Sequence, residues 1–313
     1  KNSENVVALN HFARSGTGLL HSLIDGHPEV STLPSIYFSQ FFNRTNWTDS
    51  ITVAGWDNIV NRFMSTHDFL FDASINTPFQ TPAGKTINNL GVSEGLTTLG
   101  EGRDEVLTVD KNLFREELTR LMSQFESLNA FDFFKLVHAA YDFAVSDPHK
   151  KKLIFYHIHN PDIFTQLNFS SLAPNARWLL MVREPVQNCE STISLDYHKD
   201  TYKSCFYKIA WIFNETDNPI YSSQESIGVR LEDLKRHPRK TIPALCKWLG
   251  IKETESLYAM TAQGKKWWGD PSSPDYNKDG MDPFGQTSIN RKVGSIFSES
   301  DQFILRTLFY PFS

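Results

Sequence analysis

Four short, continuous apolar runs constrain the fold: NVVALNHF (5–12), KKLIFYHIH (151–159), ARWLLMV (176–182) and ESIGVRL (225–231). A strand with one wet face alternates apolar and polar residues, whereas a strand covered on both faces reads as an unbroken apolar run. Helical patterns separate these runs and are expected over 17–26, 185–198, 238–248 and 299–309. Pro185 and Pro238 open the second and third, where a missing N–H is no loss. The expected fold class is α/β: a single parallel-sheet domain spanning 1–313, with flanking helices.

Composition supports a large core, with 40% hydrophobic residues and 24 Phe, 10 Tyr and 7 Trp in 313 residues. A net charge of -5 without a long block of one sign argues against a nucleic-acid-coating protein, but leaves room for a local basic pocket. Cys189, Cys205 and Cys246 stand in no metal-ligand or redox spacing. That odd, small count predicts a reducing, cytoplasmic setting. The sequons at Asn43, Asn46, Asn168 and Asn214 read as background, with a luminal domain as the alternative. No apolar run approaches the roughly 20 residues needed to cross a bilayer. A start at Lys1 rather than Met is consistent with a piece of a longer polypeptide.

The signal changes over 35–147, which is rich in Phe, Asn and Thr and contains TPFQTPAGKTINNLGVSEGLTTLGEGRDE (77–105) before helical patterns around 112–145. This is too long for a plain loop. It is expected to be an insertion of helices plus a Gly-rich flap that acts as a lid. GKKWWGDPSSPDYNKDGMDPFGQTS (264–288) is expected to be a second ordered loop with exposed aromatic surface.

The first run leads into RSGTG (14–18) and then a helical pattern. Gly16 and Gly18 allow close backbone approach, and the amides through Leu19 then point at an anion together with the helix N-terminus. Arg14, Ser15 and Thr17 add side-chain donors. The triphosphate loop G-x-x-x-x-G-K-[ST] is absent, as is G-x-G-x-x-G. On its own, RSGTG is equally an ordinary strand-to-helix turn.

Two further segments shift the balance. SLAPNARWLLMVREPVQNCES (171–191) places Arg183 after a strand and Ser191 eight residues on, and TSINRKVGS (287–295) groups Arg291, Lys292 and Gly294. In this order the three segments resemble the sulfotransferases that use 3′-phosphoadenosine-5′-phosphosulfate (PAPS). GLLHSLIDGHPEV (18–30) and VRLEDLKRHPRKTIPALCKWLGI (229–251) are similar to the same family. The resemblance covers most of 5–34 and 151–310. It implies a P-loop-like turn at 14–19 for the phosphosulfate, Arg183 and Ser191 for the 3′-phosphate, and a late segment at Arg291, Lys292 and Gly294 that closes over it. Taken singly, Arg183 reads as an ion pair with Glu184 or Asp196, and Ser191 as a helix residue bonding its own backbone. Many family members read S-G-T-T, so Gly18 here removes one hydroxyl.

Sulfuryl transfer needs a donor at the bridging oxygen and a base on the acceptor hydroxyl. Arg14 suits the first role. For the second, FYHIHNPD (155–162) sets His157 and His159 two apart on one strand face. In the resemblance, His159 matches the basic His of the cytosolic enzymes and His157 falls on a Lys that contacts the transferring group. The Glu base of protein-tyrosine sulfotransferases has no counterpart in TLPSIYF (32–38). Glu94, Glu101 and His138 are further candidates from the insertion, and His11 ranks below them. His138 also reads as a satisfied core residue. No metal site is expected.

Within the family, the chain looks most like the off-loading domains of polyketide assembly lines, the curacin-type and cyanobacterial olefin synthases. That implies an acyl carrier protein as partner and a β-hydroxyacyl acceptor, sulfated for decarboxylative release as a terminal alkene. Alternatives are a sulfotransferase for small alcohols, glycans or protein side chains, and a non-catalytic nucleotide-binding module. Neither a nucleic-acid partner nor a transmembrane segment is expected.

Overall fold

The computed structural model describes residues 5–11, 14–34, 38, 41–43, 55–76, 78–80, 86–158, 163–194, 202–216, 218, 220–271 and 273–310. Its centre is a parallel sheet of β1 (Asn5–His11), β2 (Val30–Ser31), β3 (Leu153–His157), β4 (Arg177–Val182) and β5 (Ser226–Arg230), in the order β2-β3-β1-β4-β5. The four apolar runs are four of these strands. The fifth, β2, has only two residues in its ladder and leaves no periodic signal.

Alternation along the strands divides the core in two. Val6, Ala8, Ile154, Tyr156 and Trp178 face one side, where they join Phe63, Phe114 and Phe134. Val7, Leu9, Phe155, Leu179 and Met181 face the other, where they join Leu20, Leu23, Leu234 and Leu245. The second face is covered by α1 (Thr17–Asp25) and by two helices after β5. The first is covered by α2 (Ile59–Thr66), α3 (Lys111–Met122), α4 (Ala130–Ala144) and α5 (Ile163–Leu172). A third apolar cluster joins α6 (Pro185–Ser194), α7 (Tyr202–Thr216) and a C-terminal helix.

The helices after β5 are α8 (Leu231–Arg236) and α9 (Pro238–Leu249), and α10 (Glu299–Phe309) ends the described chain. Their ends follow local chemistry. Pro238 starts α9, and Gly250 ends it in the left-handed region with its N–H on the Cys246 carbonyl. Ser298 and Asp301 form a capping box on α10, and the Asp110 carboxylate caps α3. The pattern expected around 112–145 is therefore two helices. Of the helix expected at 185–198, residues 185–194 are observed and 195–198 lie outside the described residues.

The described part of the 35–147 segment is packed core. Phe114, Phe133 and Phe134 are fully buried, and Phe38 stacks on Phe134 with ring centroids 6.0 Å apart. The Gly-rich stretch and the aromatic loop, read separately in the sequence, dock on each other. Trp267 Nε1 donates to the Glu94 carbonyl and Trp268 Nε1 to the Gly100 carbonyl, each at 2.8 Å. Asp25 ties the loop's base to α1, accepting from Thr261 Oγ1 at 3.0 Å and from the Gly264 amide at 2.9 Å. Among the described residues no helix is long and apolar enough to cross a membrane.

Candidate active site

The chain leaves β1 toward one edge of the sheet and β4 toward the other, so their C-terminal ends form a topological switch point, where open α/β sheets bind ligands. The residues singled out from the sequence converge there. Residues 14–18 follow β1 and Arg183 follows β4; Glu232, which the sequence did not single out, follows β5.

Gly16 is the N-cap of α1 at φ 90°, a conformation that L side chains rarely adopt. A Cβ there would stand 2.7 Å from Leu231 Cδ1, so the turn is closed down onto α8. Among the described residues no side chain caps the first turn of α1, so its leading amides can serve a ligand. Ser15 is buried, and its Oγ has no hydrogen-bond partner among the described residues. An orphaned hydroxyl in an anion-shaped turn fits a phosphate or sulfate oxygen. Thr17 is buried beside it.

Arg183 ties the site together. Its Nε donates to Gln187 Oε1 at 2.9 Å, one Nη to the Arg14 carbonyl at 3.3 Å and the other to the Ser288 carbonyl. Among the described residues, three of its five N–H groups are thus engaged and two have no partner. Burial lowers its pKa; among the nearby charges Glu232 and Glu184 oppose the shift, while repulsion from Arg14 and Arg291 adds to it. Arg14 and Arg291 thus lie within electrostatic reach of Arg183, with Glu232 and Glu184 balancing part of that charge. Ser191 is buried two turns along α6 from Arg183. Arg291 is half-buried and Lys292 exposed. Gly294, at φ 125°, donates its amide to Glu190 Oε2 at 2.8 Å.

The candidate bases are scattered. His159 lies outside the described residues, as does the His11 side chain. His157 ends β3 beside Leu9 of β1, buried, with its ring 5.4 Å from that of His21. His138 is buried on α4, with Nδ1 2.9 Å from Ser31 Oγ. Burial, with the His21 charge adding to it, lowers the His138 pKa to about 3. Glu94 stands at the loop junction with Trp267, and Glu101 pairs with Lys266 at 2.7 Å. The structure thus brings together 14–18, Arg183 and Arg291, places His138 within electrostatic reach of His21 beside His157, and sets Glu94 at the junction with the aromatic loop.

One turn beyond His138, burial raises the Asp142 pKa to about 7, with a Ser31 hydrogen bond and Lys151 opposing it and Asp147 and Asp25 adding to it. A raised carboxyl favours folding below its unfolded pKa, near 3.9, and that contribution is lost as pH rises through about 7. Asp142→Asn is therefore expected to raise the melting temperature at pH 8 and to make no difference at pH 4. Thermal unfolding across that range checks it.

Among the described residues, no group of three or more His, Cys, Asp or Glu is placed to hold a metal ion. The side chains that support the site were invisible to motif reading. Gln187 and Glu190 reach carbonyls and amides of the late segment more than 100 residues away, and Lys235 meets Asp275 40 residues away, distances no local spacing marks.

A parallel sheet with a Gly turn and arginines at its switch point defines an α/β protein with a candidate anion site. Residues 12–255 match the Sulfotransferase family, and the chain belongs to that family. No curated protein matches it. Among solved structures, it is similar to the sulfotransferase domain from the Synechococcus PCC 7002 olefin synthase, at 16% identity and a TM-score of 0.48, over 99% of this chain and 96% of that one. The sulfotransferase domain from the curacin biosynthetic pathway aligns at 14% identity and a TM-score of 0.48, over 98% of each chain. Sulfotransferase STF9 from Mycobacterium avium aligns at 12% identity and a TM-score of 0.43, over 100% of this chain and 76% of that one.

Proposed function

We propose that this chain moves the sulfuryl group of PAPS to an acceptor hydroxyl, and that the acceptor is the β-hydroxyl of an acyl chain held on a carrier protein. The observation that carries the reading is that Arg183 is tied to the Arg14 carbonyl and, through Gln187, to the Arg291 carbonyl, beside a turn whose buried Ser15 hydroxyl has no partner among the described residues. Two separated anionic groups on one small molecule match two cationic stations joined by one guanidinium.

In this reading the donor supplies an electrophilic sulfur and a nucleotide leaving group. The 14–19 amides, Ser15 and Thr17 hold the phosphosulfate, and Arg183 and Ser191 hold the 3′-phosphate with Arg291 and Lys292. Arg14 stabilises charge on the bridging oxygen as the S–O bond to the phosphate breaks. His159 takes the proton from the acceptor oxygen that attacks sulfur, and His157, two residues earlier in the sequence, contacts the transferring group. The products are a sulfate ester, 3′,5′-ADP and that proton. Preorganised donors carry most of the catalysis. The aromatic loop, whose Trp267 and Trp268 dock on the Gly-rich stretch, supports an apolar acceptor. The Gly-rich segment would act as its lid.

A thermal-shift titration with 3′,5′-ADP beside ATP and magnesium tests the donor. A ligand held only by the folded state at about 100 times its Kd adds roughly 2.7 kcal/mol. A clear rise with 3′,5′-ADP and little with ATP is expected, and no rise with 3′,5′-ADP overturns the reading. Sulfation of a β-hydroxyacyl carrier protein, with loss of turnover but not of nucleotide binding in His159→Ala, tests the acceptor and base. Turnover only on small alcohols, glycans or peptides replaces the carrier-protein assignment, and nucleotide binding without turnover on any of these identifies a binding module.

A further inference from the structure

Glu190 neighbours Ser191, which the proposed function places on a phosphate. A carboxylate so close to an anion site opposes ligand binding, so its place there calls for a structural reason. Arg183, Gln187 and Glu190, spaced i, i+4 and i+7, lie along one side of α6 and its entry. Each grips a successive stretch of the late segment. Arg183 donates to the Ser288 carbonyl, and Gln187 Nε2 donates to the carbonyls of Ile289 at 3.2 Å and Arg291 at 2.6 Å. Glu190 takes the far end. It accepts from the amides of Gly294 at 2.8 Å, Ser295 at 3.1 Å and Phe297 at 3.4 Å, and from Ser295 Oγ at 2.6 Å.

Glu190 is 2% exposed. Burial alone would raise its pKa, but the bonds from Ser295, Gly294 and Phe297 outweigh it and hold the carboxyl below its ordinary value. The ionised group is thus satisfied by the segment itself. The positive φ of Gly294, 125°, lets the chain curl so that these amides face one carboxylate. Those amides are then spent on Glu190, and the segment offers a ligand the Arg291 and Lys292 side chains instead.

We propose that Glu190 is a positioning residue that docks residues 288–297 onto α6 before the nucleotide arrives, so that the late basic segment is a collar built in advance rather than a flap folded around its ligand. The inference rests on the donor-site reading above. Its consequence is affinity: ordering entropy is met during folding and not charged to binding.

Amide hydrogen exchange on the ligand-free protein tests the docking directly, and 3′,5′-ADP titration tests its purpose. The Gly294, Ser295 and Phe297 amides are expected to be protected without ligand. Glu190→Gln, nearly isosteric, is expected to speed their exchange and to raise the 3′,5′-ADP Kd and the PAPS KM about tenfold, with kcat within about twofold. Ser295→Ala removes only one exposed donor, so the fold is not at risk, and should raise Kd about two- to threefold. Fast exchange in the ligand-free wild type, with protection only after 3′,5′-ADP, overturns the proposal. So does unchanged affinity in a Glu190→Gln protein whose segment has come loose. If the wild type binds no 3′,5′-ADP, the donor-site reading fails instead, while ligand-free exchange still decides the docking. Should Glu190→Gln not fold, wild-type exchange and Ser295→Ala decide the case.

Discussion

Arg183→Ala is expected to weaken 3′,5′-ADP binding by at least about 100-fold. Two N–H groups of that guanidinium have no partner among the described residues, and each charge-assisted hydrogen bond they make to an anion is worth about 1.5–3 kcal/mol, so the low end of the sum is two decades. The substitution also unties Gln187 and the carbonyls of Arg14 and Ser288, so the ligand-free melting temperature should fall as well. Arg183→Lys separates the two effects. It keeps the charge but loses the planar fork, and should bind at an intermediate level. Calorimetric titration of both variants with 3′,5′-ADP, beside unfolding of the free proteins, checks this. Binding by Arg183→Ala within about threefold of wild type would remove Arg183 from the site.

The second large effect is on stability. Lys235 Nζ lies 2.6 Å from Asp275 Oδ2, with side-chain exposures of 4% and 1%, and also donates to the Gly285 carbonyl at 2.9 Å. Lys235→Met leaves a buried carboxylate without its cation, which costs about 3–5 kcal/mol. Replacing both partners, as in Lys235→Met with Asp275→Leu, should recover part of that loss. Burial raises the Asp275 pKa, but Lys235 and Ser288 outweigh it and hold the carboxyl below its ordinary value. Its contribution is therefore complete above the unfolded pKa, near 3.9, and is lost as pH falls through the lower folded value. Urea unfolding at pH 7 and pH 3 should show the gap between wild type and Lys235→Met closing in acid. Asp275 Oδ1 also accepts from the Ser288 amide at 3.2 Å, and Ser288 in turn receives Arg183. Lys235→Met should thus loosen nucleotide binding from outside the site, and unchanged stability would deny the pair any structural weight.

The sheet was legible because burial on both faces writes strands as unbroken apolar runs. The ends of α9 were legible because Pro238 and Gly250 are local stop and start chemistry. β2 was not, since Val30 and Ser31 carry no period of their own. Nor was α7, where Phe206 and Tyr207 are exposed and blur its apolar face. At the site, the turn and the arginines stood out only through the family resemblance, since RSGTG and Arg183 each have an ordinary reading on their own. The supports did not, because whether a Glu, Gln or Lys meets a loop a hundred residues away depends on how the sheet is wound. Glu190 is the clearest case: in the sequence it is one more helix acid, and in the fold it holds four donors.

The strand order also governs how the chain comes into being. β1 is synthesised first and lies at the centre, yet its partners are β3 and β4, with Asn5 beside Leu153 and Val7 beside Arg177. At about 5–20 residues per second a ribosome needs roughly 10–30 s to deliver about 150 residues. For that interval an apolar strand destined for the middle of the sheet has no ladder to join, and the anion turn that follows it has no floor. Non-local pairing of this kind is slow and exposes sticky edges. The nascent protein is therefore expected to lean on chaperones until β4 emerges, and refolding from denaturant to be slower and more concentration-sensitive than its helix content alone would suggest.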